Sequence, residues 1–91
     1  MHRILDLRTW KWLRVEEDRS GAVLWAGWVR QKERATPLHG RGAAMDALDV
    51  SSLLDAWQDG SVGIVCGDEV LVHDATPGWL TPDGLDVIIA A

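Results

Sequence analysis

Residues 8–32 read RTWKWLRVEEDRSGAVLWAGWVRQK, two runs rich in Val, Leu and Trp on either side of Arg19-Ser20-Gly21. Gly21 can adopt the positive φ that closes a three-residue loop, so the spacing predicts a β-hairpin. Pairing Asp18 with Ala22 sets Val15 opposite Trp25, Leu13 opposite Gly27, Trp12 opposite Trp28 and Trp10 opposite Arg30, because directly paired residues share one side of the ladder. One side then collects Leu5, Leu7, Leu13, Val15, Val23, Trp25 and Val29, and is expected to be buried. The other interleaves Arg8, Trp10, Trp12, Arg14, Trp28 and Arg30. Either a further layer covers that second side, or it is an aromatic and basic surface for a partner.

The remaining segments supply what packs on this hairpin. Residues 33–42, with Pro37 and the His39-Gly40-Arg41-Gly42 run, read as a loop. From Ala43 to Asp59 the apolar period becomes helical: Leu53, Leu54 and Trp57 make one stripe, with Asp49 or Ser51 as cap and Gly60 as stop. Trp57 is expected to plug the core against the apolar hairpin side. Val62–Cys66 and Glu69–His73 flank Gly67-Asp68 as a second hairpin, apolar nearly throughout and therefore central in its sheet. In the tail, Thr81-Pro82-Asp83 resembles a helix start, with Leu85, Ile88 and Ile89 on one face. The expected fold is α+β: a single domain, residues 1–91, of two antiparallel hairpins (3–17/22–32 and 62–66/69–73) packed on one helix (50–59), with a short C-terminal helix (82–90).

Composition bounds the function. A hydrophobic content of 47% and a charged content of 25% are ordinary for a globular domain. Six Trp with no Phe or Tyr are not, because every large ring then carries an indole N–H that needs a partner when buried. No apolar run approaches the ~20 residues of a membrane span, Met1-His2-Arg3 does not open a signal peptide, and the single Cys66 forms no internal disulfide. These features lead us to expect a cytoplasmic protein. All nine Lys and Arg lie in residues 1–41 beside five acids, whereas residues 42–91 hold nine acids and no Lys or Arg. The two halves either neutralise each other within the fold or present an acidic face, including Asp55 and Asp59, to a basic partner.

The residues do not assemble a recognisable catalytic set. With Cys66 opposite Glu69, His73 lies four residues further along its strand, on the order of 13 Å away, too far to activate the thiol. The three histidines lack metal-ligand spacing, the acids make no calcium loop, and the glycines at 40 and 42 make no phosphate-binding motif. No cofactor, metal or catalytic residue is therefore assigned. The leading expectation is a non-catalytic protein-interaction module, associated by size and acidity with the inhibitor, immunity and adaptor proteins of bacteria and mobile elements. It would bind a protein partner, or a second copy of itself, through Arg8, Trp10, Trp12, Arg14, Trp28, Arg30, Asp55 and Asp59. The alternatives are a single-stranded nucleic-acid binder that stacks bases on the Trp rings, opposed by the net charge of −5, and a small enzyme or enzyme subunit with an unrecognised site.

Overall fold

In the computed structural model, which describes residues 1–73, 78–81 and 87–89, the expected first strand is two strands. β1 (His2–Asp6) and β2 (Lys11–Glu17) are joined by a turn at Leu7-Arg8-Thr9-Trp10. Asp6 builds that turn: its carbonyl accepts from the Trp10 amide at 2.8 Å and its carboxylate from the Arg8 amide at 2.9 Å. Trp10 supplies the left-handed residue, at φ 59. Because a non-glycine residue bears the unfavourable conformation, nothing in the local composition marks the turn. Reversing the chain here places Leu5 opposite Trp12. Leu5 and Leu13, expected on one side, consequently lie on opposite faces.

β3 (Val23–Val29) pairs with β2 as expected near the loop, where Glu17 faces Val23 and the Asp18 amide donates to the Ala22 carbonyl at 2.9 Å. The ladder then slips by one. Glu16 faces Trp25, which leaves Leu24 as the extra residue of a β-bulge, so Leu13 faces Trp28 and Trp12 faces Val29. The expected pairing of Trp12 with Trp28 is therefore corrected: one inserted residue moves Trp28 to the opposite face.

The second hairpin stands as expected except at its far end, where β5 (Glu69–Leu71) stops two residues short of His73; β4 (Val62–Cys66) and β5 flank the Gly67-Asp68 turn, with Gly67 at φ 60. β6 (Gly78–Leu80) and β7 (Val87–Ile89) extend the same antiparallel sheet, whose spatial order is β3-β2-β1-β4-β5-β6-β7. The proposed tail helix is corrected at 87–89, which are strand; its start at 82–86 lies outside the described residues. The main helix is also displaced. α1 (Arg41–Val50) precedes the expected 50–59 segment, where only a short α2 (Leu54–Gln58) forms. Its buried face is Ala44, Ala47 and Leu48, and two alanines give too little hydrophobic contrast to reveal an amphipathic period.

Two cores follow, one on each face of the sheet. Ile4, Leu13, Val62 and Ile64 meet α1 and Trp57 on the helix side, with Trp28 packed at the margin. Leu5, Trp12, Val65 and Val70 cluster with Ala35 on the other, flanked by Trp10, Val29 and Leu80. β4 alternates between the two, so it is central and covered on both faces. This is a small α+β domain with one main helix and a short second one.

The 33–42 segment does more than connect. Past Leu5 and Trp12 the β1 and β2 strands separate, and residues 36–38 fill the opening. The Thr36 amide donates to the Leu13 carbonyl at 3.1 Å, while its hydroxyl accepts from the Val15 amide at 2.7 Å and donates to the Val15 carbonyl at 3.1 Å. On the other flank Leu38 exchanges two 2.8 Å backbone bonds with His2. Splaying β2 away from β1 is what sends the far end of the β2–β3 hairpin out of the body.

Candidate interaction surface

From Glu16 to Ala26 every residue is exposed, so the end of the β2–β3 hairpin is an arm, in a molecule measuring 43 × 25 × 22 Å. Its tip is held by Asp18. One carboxylate oxygen accepts from the Ser20 hydroxyl at 2.6 Å, the Ser20 amide at 2.8 Å and the Ala22 amide at 3.0 Å, while Gly21 takes φ 87. The Ser20 hydroxyl bond, followed by the backbone amides, holds the Asp18 carboxyl below its usual pKa.

β3 is the outer strand at its end of the sheet, paired with β2 alone, and its sequence VLWAGWV contains no charged residue and no proline. Leu24 is 70% exposed and Trp25 45%. The Trp25 indole lies along its own strand over Gly27, so close that a Cβ at Gly27 would stand 2.4 Å from the ring. Gly27 is thus the residue that lets the indole lie down. Trp25, Gly27 and Val29 share a face with Arg14 and Glu16, their cross-strand partners being fixed by the shifted ladder. Arg14 is paired to Glu16, with N–O distances of 3.1 and 3.2 Å. Arg34, from the 3₁₀ turn Lys32–Arg34, joins these residues around an open cleft of about 450 Å³.

The eight residues expected to bind a partner do not form one surface. Trp12 is only 4% exposed, with the Lys32 ammonium 5.6 Å from its ring centre, and Trp10 packs on the same core. Trp28 packs on the helix side. Arg8 and Arg30 are exposed, and Arg14 alone of the set borders the Trp25 cleft. Asp55 is exposed on α2 with Asp49 nearby. Asp59 accepts from the Ser61 hydroxyl and, at 2.8 Å, from the Ser61 amide, which together depress its pKa, and it meets Arg8 at 4.0 Å. That contact joins the acidic and basic halves at one exposed point, where an ion pair contributes little. Sequence reasoning missed Leu24, Trp25 and Arg34. The uncharged run VLWAGWV was the available signal for an unprotected edge, but the bulge that moves Trp25 onto the face of Arg14 and Glu16 leaves no mark in the composition.

The thiol and imidazoles are apart from this surface. Cys66 faces Glu69 as expected, and His73 packs its ring edge-on against Trp57 at 5.9 Å. On its other side Cys66 faces His2 across β1, a neighbour hidden from the sequence by the unread turn, and the thiol is half-buried. Among the described residues no group of three or more His, Cys, Asp or Glu is placed to hold a metal, and no helix is long and apolar enough to cross a membrane. No protein-family model, curated protein or solved structure matches this chain.

Proposed function

We propose that the protein is a non-catalytic interaction module of the cytoplasm whose docking element is the β2–β3 arm, with the β3 edge as the contact. The observation that carries this reading is an outer strand, Val23–Val29, with neither charge nor proline, projecting Leu24 and Trp25 into solvent. Soluble proteins protect outer strands with Lys, Pro, inward charges or a covering loop, because unpaired N–H and C=O groups recruit another strand. Here the bulge at Leu24 is the one such device. Strand addition supplies main-chain hydrogen bonds, and the indole beside Arg14 and Arg34 supplies an aromatic and cationic anchor of the kind that dominates interface energetics. The exposed acids Asp46, Asp49 and Asp55 then act as a steering field rather than as the contact itself.

Immobilised wild-type protein, Leu24→Lys and Trp25→Ala should be compared for partners retained from cell lysate, alongside a labelled single-stranded oligonucleotide at moderate salt. The reading expects a protein, either a second copy of this chain expressed in the lysate or another confirmed by binding in purified form, that the wild type retains and both variants lose. Retention of the same partner by both variants overturns it. Oligonucleotide binding that Trp25→Ala abolishes would replace it with the nucleic-acid reading.

A further inference from the structure

We infer that the occupant of the β3 edge is the β3 edge of a second copy, paired antiparallel about a two-fold axis so that the two sheets run on as one. This rests on the reading of the arm as a docking element and names its partner. Charge is distributed along the arm in a way that suits this pairing. The tip carries Glu17 and Asp18, with Glu16 already engaged by Arg14, the base carries Arg30, Lys32 and Arg34, and between them β3 is neutral over all seven residues. An antiparallel two-fold pairing lays each acidic tip beside the other copy's basic base, twice over, because a two-fold interface repeats every contact. The exceptions follow the same rule, with Arg19 at the tip and Glu33 at the base. A parallel pairing would instead set acid beside acid and base beside base.

The neutral middle fits the same partner. A charged foreign strand gains nothing from VLWAGWV, whereas a second uncharged apolar strand meets it without desolvating any charge, and pairing covers Leu24 and Trp25 of both copies at once. The bulge does not prevent this. It lies near the tip, between Glu16 and Glu17, and leaves Trp25 to Val29 in regular register.

Sedimentation velocity of the full chain, from about 1 to about 200 μM at low and moderate salt, tests the assignment. The wild type is expected to sediment as a dimer of the 10.0 kDa chain, and Leu24→Lys as a monomer with an unchanged circular dichroism spectrum. Glu17→Lys should weaken the dimer about tenfold by placing like charges at both ends. Adding Arg30→Glu to Glu17→Lys should restore most of that loss, which a merely structural effect of either change would not do. A wild-type monomer at the highest concentration overturns the second copy as occupant, as does a dimer that Leu24→Lys leaves intact. Neither result bears on retention of a foreign protein by the arm, which the lysate comparison reads separately.

Discussion

Trp12 and Trp25 sit on one face of the same hairpin, yet one is enclosed and the other lies open along its strand. Their substitutions should therefore separate stability from binding. Trp12→Ala removes a packed ring and is expected to cost about 3–5 kcal/mol in urea unfolding, whereas Trp25→Ala should stay within about 0.5–1 kcal/mol of wild type, as surface changes usually do. A larger loss from Trp25→Ala would mean that its ring supports the fold. Of the two carboxyls held below their ordinary value, Asp18 and Asp59, Asp18 is the one in the arm. Its folded carboxyl titrates below the ordinary carboxylate value, so the contribution it makes to the tip is present above that ordinary value and lost as pH falls through the depressed one. Protection of the Ser20 and Ala22 amides, taken relative to their intrinsic exchange rates, should fall in that acidic window and not above it, and Asp18→Ala should show the lost protection already at neutral pH.

One polar side chain in a segment that reads as loop ties that segment to β2. Thr36 satisfies both the amide and the carbonyl of Val15, so Thr36→Val should leave both without that partner and destabilise the domain by about 1–3 kcal/mol. Unfolding by denaturant checks this directly, and an unchanged midpoint would show that water replaces the hydroxyl. The same segment shows what could be read in advance and what could not. Gly21 and Gly67 announced their turns, and both hairpins stand where those glycines put them. The turn at Leu7–Trp10 was hidden because Trp10, not glycine, takes the positive φ, with the cost of that conformation offset by packing beside Trp12. The bulge was hidden because one extra residue leaves the alternation of apolar and polar positions readable in either register. Each flipped a face: Trp25, expected in the core, lies open on the arm, and Trp12, whose side could be read as either covered or exposed, is buried. The helical period from Ala43 was legible, but the main helix was set at 50–59 rather than at α1 because Ala44 and Ala47, which α1 buries, carry little hydrophobic signal.

At the scale of the whole molecule, two cores on the two faces of one sheet account for the body, and the β2–β3 arm is the part they leave out. Charge is sorted twice, between the halves of the chain and again between tip and base of the arm. Only the second sorting lies along an uncovered strand edge, which is why docking is assigned there and not to the acidic helices. Amide hydrogen exchange across the full chain, compared between dilute and concentrated protein, tests that assignment most directly. The account predicts that Val23–Val29 becomes slower to exchange in the concentrated sample and that Leu24→Lys removes the difference, while β4 stays equally protected throughout. Exchange in Val23–Val29 that is fast and identical at both concentrations, with concentration-dependent protection arising instead over Arg41–Gln58, would contradict it.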